Sequence, residues 1–347
     1  MIKVLIADDS DFIRKILRKI LEEDTEIEVI GEARNGRELI ELYEKQKPDI
    51  ALIDLQMPKM DGYEAIEHIM AYYPTPILVI SGKDSPMSQH KALSLGALEI
   101  MGKPKNIHAL SEVLTKRVKV LSKAKIVTHM QAKLKKMVGA RQSFRPSIPP
   151  GTPIQFRAVG IVASTGGPMA LKYVFENLPE NLPLPVFVVQ HYPDDMDSDF
   201  IDWLGSFTSL NVTAAGDGER PRAGNVYVAP SRYHMSIGQN NRIILIDTPP
   251  VNAVKPSGDI LLMAMAKIYG SNCIGVILTG MGSDGARGLR AVREAKGFTI
   301  AQDEETSVIF GMPRKAVELE AADIVLPLQS IPEKIMELAD MPESKSN

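Results

Sequence analysis

The sequence predicts an α/β protein of two successive parts. The first is a five-stranded doubly wound unit, and the second is a three-layer α/β/α unit whose mostly parallel sheet carries an antiparallel hairpin. Three observations predict this. Apolar runs of strand length alternate with stretches of helical spacing through both parts. A proline-rich segment, RPSIPPGTP, ends near Pro153 and stops any helix there. The 347 residues suffice for two cored domains, and 44% hydrophobic with only 5% aromatic residues suits such a fold better than a β-sandwich. The expected boundaries are 1–122, a basic linker 123–153, and 154–345.

In the first part KVLIAD, IEVIGEA, DIALIDL, PILVISG and LEIMGKP each precede a stretch of helical spacing. Five strands alternating with five helices require one parallel sheet covered on both faces. In the second part a strand over 157–163 runs into Ser164 and a helix from Gly167. A strand over 185–190 runs into His191 and the helical DMDSDFIDWLGSF. The segment NVYVAPSRYHMSIGQNNRIILID reads as a hairpin-rich insert. A helix over 258–269 and a strand over 273–279 resume the alternation, and the loop TGMGSDGARG opens a further helix at about Asp284.

The formal net charge of −3 hides a segregation. Residues 1–112 hold 14 Lys/Arg against 20 Asp/Glu, residues 113–175 hold 12 basic residues and no acid, and residues 176–347 hold 14 against 23. Within the basic block, Ile126, Met130, Leu134, Met137 and Val138 fall on one helical stripe bordered by Lys123, Lys125, Lys133, Lys135 and Lys136. That pattern suits a packing helix or a face that steers an acidic partner. No apolar run reaches membrane-spanning length, and the N-terminus enters a strand without a signal-peptide pattern. The single cysteine, Cys273, sits among apolar neighbours as a packing residue. A cytoplasmic location without membrane insertion is the expectation.

Ligands of open parallel sheets bind beyond the carboxyl ends of the strands. In the first part those ends carry Asp8 and Asp9, Asp54, Ser81 and Lys103 on strands one, three, four and five. Three converging carboxylates need a cation, and Mg²⁺ takes a few carboxylates with water and phosphate oxygens. A carboxylate can also act as a nucleophile toward phosphate. A helix cap explains any one of these aspartates, but not five polar residues at matching strand ends.

In the second part, AVGIVASTGGPMAL admits three readings: a tight turn, a phosphate cradle at a helix N-terminus, or a nucleophile on a sharp turn. Acyl transfer needs a nucleophile, a base and an orienting carboxylate. Ser164 and His191 follow parallel strands and can meet at one edge; His234 is the other histidine of this half. Asp284 and Asp303 compete for the carboxylate role, and Asp284 could equally cap its own helix.

The motifs ADDS, IDLQMPKMDG, ISG and GKP, over residues 1–122, resemble the response-regulator receiver domain. The resemblance implies that Asp54 accepts phosphate from a histidine kinase, with Ser81 and Lys103 contacting that phosphate. It implies Mg²⁺ on Asp9, Asp54 and the Gln56 carbonyl, with Asp8 helping through water, and a cis peptide at Lys103–Pro104. Ile100 stands where the family has an aromatic switch residue. VASTGGP, VQHYP, LTGMGSDGARGL and AQDEETSVIFGMPRKAV, within about 155–340, resemble the catalytic domain of the CheB methylesterases. That resemblance implies a Ser164–His191–Asp284 triad, with Thr165 and Met281 backbone N–H groups as oxyanion donors and no cofactor for the ester chemistry. Ser231 stands where that family more often has glycine. The implied activity is hydrolysis of glutamate methyl esters on chemoreceptor cytoplasmic helices, together with deamidation of receptor glutamines. Two other classes weigh less. A catalytically silent binding module would not need all three triad residues. A nucleic-acid-binding regulator is opposed by the acidic second half and the absence of a helix-turn-helix signature.

Overall fold

The computed structural model describes residues 1–82, 91–103, 107–124, 126, 157–192 and 197–339, and the chain divides into two compact units. The cis bond expected at Lys103–Pro104, the basic stripe beyond Ile126 and most of the 123–153 linker lie outside the described residues.

The first unit is built on β1 (Ile2–Ala7), β2 (Ile27–Ala33), β3 (Ile50–Ile53), β4 (Ile77–Ser81) and β5 (Glu99–Gly102). They form one sheet in the order β2-β1-β3-β4-β5, parallel throughout. Helices α1 (Asp11–Glu22), α2 (Gly36–Lys45), α3 (Gly62–Tyr72) and α4 (Ile107–Leu121) accompany it. Between β4 and β5, where a fifth helix was expected, residues 91–94 are helical and 83–90 are outside the described set. Local chemistry starts the helices. Ser10 Oγ accepts the Ile13 N–H, Asn35 Oδ1 accepts the Glu38 N–H, and Asp61 with Glu64 closes a capping box. β3 and β4 are buried along their whole length, as strands covered on both faces must be. Ile100 is a core residue of β5.

The second unit holds a seven-stranded sheet. Its strands are β6 (Ala158–Ala163), β7 (Val186–Gln190), β8 (Asn211–Ala214), β9 (Asn225–Val228), β12 (Cys273–Ile277), β13 (Phe298–Gln302) and β14 (Ile324–Leu326). The order is β14-β13-β12-β6-β7-β9-β8, with every pairing parallel. An antiparallel hairpin of β10 (His234–Ile237) and β11 (Ile243–Ile246) stands apart as its own two-stranded sheet. The chain also forms α5 (Gly167–Glu176), α6 (Asp197–Gly205), α7 (Gly258–Tyr269), α8 (Ala286–Glu294), α9 (Met312–Glu318) and α10 (Ile331–Ala339).

One part of the sequence reading changes. NVYV does not belong to the hairpin: it is β9, a parallel strand of the main sheet, and β8 lies outside it as an unforeseen edge strand. The reason is burial. Val226, Tyr227 and Val228 are all covered, Tyr227 lying against Phe187 of β7, so this run belongs inside a two-sided core. β8 escaped notice because none of its four residues is fully buried. Cys273 is buried at the start of β12, where burial pushes its thiol up to about 12.

Candidate active site and phosphoacceptor site

At the carboxyl edge of the first sheet, Asp8, Asp54 and Ser81 are buried and Asp9 is exposed. Carboxylate oxygens of Asp8, Asp9 and Asp54 lie within 4.8 Å of one another. Lys103 bridges two of them, its Nζ 2.7 Å from Asp54 Oδ2 and 2.9 Å from Asp8 Oδ2. Burial pushes the Asp54 carboxyl up to about 6, against the opposing pull of Lys103, while the Asp8 charge adds to the rise. Burial opposes the charge on Lys103 as well, yet the two carboxylates hold its ammonium above the usual range. Arg14, itself buried, donates to the Asp8 backbone carbonyl at 2.6 Å and anchors the end of β1. Oxygen donors crowded this closely, with one cation among three acids, form a hard-ligand set that fits Mg²⁺.

The central strands of the second sheet, β12, β6 and β7, are neighbours in that order. Their carboxyl ends therefore present the 279–285 loop, Ser164 and His191 side by side. Ser164 leaves β6 in a tight turn closed by Gly167 N–H donating to Ser164 O at 2.7 Å, and Gly166 has φ 77°. The β12 loop approaches so closely that a Cβ on Gly280 would lie 2.8 Å from Ser164 Cβ. A side chain there would displace the candidate nucleophile. Met281, next in that loop, has a backbone N–H that no described residue engages.

His191 Nε2 lies 3.1 Å from Asp284 Oδ2. The carboxylate faces Nε2, so Nδ1 is the nitrogen left to accept a proton. Asp284 is buried and serves as a hub of donors. Ser257 Oγ donates to Oδ1 at 2.7 Å and Gly258 N–H to Oδ2 at 2.6 Å. Asn252 Nδ2 and Asp259 N–H reach Oδ1 at 3.4 Å. Burial works against ionisation, but His191, Ser257 and Gly258 together hold this carboxyl below its ordinary value. The capping expectation for Asp284 is met on a different helix from the one foreseen. Asp284 caps α7, whose N-terminus favours an anion, and Asp259 of α7 in return accepts the Gly288 N–H of α8 at 2.8 Å. With Gly285 at φ 82°, α8 itself begins only at Ala286.

The structure thus brings His191 and Asp284 into contact, with Ser164 at the same edge but not hydrogen-bonded to His191. Asp303 is occupied elsewhere, accepting from Thr306 N–H and Oγ1 at 2.9 and 2.7 Å. His234 is wholly buried, contacting Pro249 O through Nε2 at 3.1 Å and accepting Ser257 N–H at Nδ1 at 3.0 Å. Ser231 is absent from the residues with positive φ, so serine fits its turn without backbone strain. Sequence reasoning missed Gln190, Asn252, Ser257 and Asp259. Of these only Gln190, in the motif VQHYP, carried a local signal; the others reach the site from distant elements.

Comparison with known proteins agrees with both halves. The family described as CheB methylesterase matches residues 159–335, and the response regulator receiver domain matches residues 4–115. A protein-glutamate methylesterase/protein-glutamine glutaminase of Pyrococcus abyssi is 37% identical over 350 residues, covering 98% of this chain and 94% of the relative. One from Anaeromyxobacter dehalogenans is 40% identical over 340 residues, covering 97% of each. The crystal structure of the Thermotoga maritima CheB methylesterase catalytic domain aligns over 53% of this chain and all of its own, with 42% identity and a TM-score of 0.52.

Proposed function

This chain belongs to the CheB methylesterase family and carries a response-regulator receiver domain, and we propose that it hydrolyses glutamate methyl esters on chemoreceptors through Ser164, His191 and Asp284. The observation that carries the reading is the His191–Asp284 pair at the sheet edge where Ser164 leaves β6. Ser164 Oγ attacks the ester carbonyl carbon as its proton passes to His191 Nδ1. Asp284 stabilises the imidazolium through Nε2–H. The oxyanion is met by the backbone N–H groups of Thr165 and Met281, the second supported by its lack of a described partner. The imidazolium then protonates the departing methoxide, releasing methanol and leaving the acyl-enzyme. Water adds next, giving its proton to His191, and collapse returns that proton to Ser164 and frees the glutamate. An amide passes through the same oxyanion, so receptor glutamines lose ammonia by the same route. These steps need no cofactor.

In the receiver, Asp54 accepts the phosphoryl group of a histidine kinase, and this controls the hydrolase. Asp8, Asp9, Asp54 and the Gln56 carbonyl would hold Mg²⁺, which offsets negative charge on the phosphoryl oxygens. Ser81 and Lys103 receive those oxygens. The working division is a receiver at 1–122, a basic linker at 123–153 and a catalytic domain at 154–345. Its site of action is the cytoplasm, where receptor helices and kinase meet; among the described residues no helix is long and apolar enough to cross a membrane. The test is methanol release from membranes carrying methylated receptor, with and without acetyl phosphate. Release that rises with the phosphodonor supports the reading. No release in either condition, from a protein that still takes up phosphate, would leave a binding module instead.

A further inference from the structure

The β6–β7 ladder ends at the pair Ala163 and Gln190, and His191 N–H then donates to Ala163 O at 3.2 Å. Beyond that point the backbones separate, one into the turn bearing Ser164 and the other through His191. A side chain continues the ladder. Gln190 is 1% exposed, and its Nε2 donates to Ser164 O at 3.0 Å and to His191 O at 2.8 Å. Each amide proton therefore has its own carbonyl, and the two carbonyls belong to the two residues proposed as nucleophile and base. The orientation is fixed by chemistry, since the flipped amide would set Oε1 against two acceptors. Oε1 makes no hydrogen bond and lies against Gly167, where a Cβ would collide with it.

Resting on the triad reading above, we infer that Gln190 is a positioning residue that ties the Ser164 turn to the His191 backbone. It touches neither substrate nor the reacting atoms. Ser164 O already accepts Gly167 N–H inside its own turn, so this second donor links the turn to the neighbouring strand. The two segments leaving adjacent strands could otherwise shift independently, and small misplacements of reacting groups reduce rate sharply. Gly167 belongs to the same device: only a residue without a side chain leaves room for the amide.

The test uses the full chain with methylated receptor membranes and acetyl phosphate. Gln190→Met keeps the length of the side chain and removes both donors. It is expected to lower kcat by about tenfold to a hundredfold with KM unchanged, and to slow labelling of Ser164 by a fluorophosphonate in proportion. Gly167→Ala should be similarly damaging, since its Cβ would meet Gln190 Oε1 and Ala163 Cβ together. Gln190→Glu, read from pH 5 to 8, guards against an unfolded Met variant: its protonated carboxyl can donate to one carbonyl, so its deficit relative to the parent should shrink at low pH. A Gln190→Met or Gln190→Glu protein with parental kcat would overturn the clamp. Failure of the triad reading looks different: Ser164→Ala would then retain activity, or the parent would release no methanol.

Discussion

Both sites sit at the carboxyl edge of a parallel sheet and both bury an aspartate, yet they treat the charge in opposite ways. Asp54 clusters with Asp8 and Asp9, and burial, with the Asp8 charge adding, pushes its carboxyl up to about 6 against the pull of Lys103. Asp284 is more completely enclosed by donors, from His191, Ser257 and the start of α7, and its carboxyl is held below the ordinary value despite burial. Three carboxylates sharing one lysine can still gain from a cation. A satisfied carboxylate can only hold its partner still. The first arrangement leaves room for a change of charge, and the second holds its groups in one state.

The largest expected effect breaks the preorganised side. Ser164→Ala should lower kcat by about 10⁴-fold or more, and His191→Ala should approach it, while their double mutant loses little beyond the worse single change. Methanol release from methylated receptor measures this, and multiplicative losses would show that the residues do not act as a unit. On the other side, Asp54→Asn should leave basal activity in place and abolish the response to acetyl phosphate. A variant that still responds would place the phosphoacceptor elsewhere.

A thermal-melt series against pH sharpens the contrast within the buried carboxylates. Asp284 has a folded value below its unfolded one, so it contributes stability above about pH 4 and loses it as pH falls through the folded value. Asp259 has its value raised by burial, with the Asp284 charge adding to the rise against the pull of Gly288 N–H. Its contribution is present at low pH and is lost as pH rises through the folded value. Asp284→Asn should therefore cost about 2 kcal/mol at neutral pH and flatten the acid limb. Asp259→Asn should cost under about 1 kcal/mol there and flatten the decline above pH 4. Equal losses at pH 7 would mean that the two carboxylates are not in opposite electrostatic states. The smallest effect on activity belongs to Asp303→Asn, which should cost about 1 kcal/mol of stability through its Thr306 turn and leave kcat near parental. A kcat loss matching that of Asp284→Asn would return Asp303 to the triad.

Much of this was legible in the chain itself. Uninterrupted apolar runs such as IALI and VFVVQ announced buried parallel strands, and the polar residues just after them marked the edges where ligands bind. Strand periodicity is a short-range property, so it can be read locally. Which groups pair is decided by neighbours far apart in sequence, and only the tertiary structure supplied them. It set Asp284 rather than Asp303 against His191, 93 positions apart in sequence. It turned Nε2 of that ring to the acid, took NVYV out of the hairpin into the main sheet, and set His234 behind Ser257 at the start of α7. It also brought Gln190 across 26 residues to the carbonyl of Ser164. The physical reason is that a buried hydrogen-bonding group must find whichever partner the folded sheet edge and helix ends place within about 3 Å of it, and sequence spacing does not encode that distance.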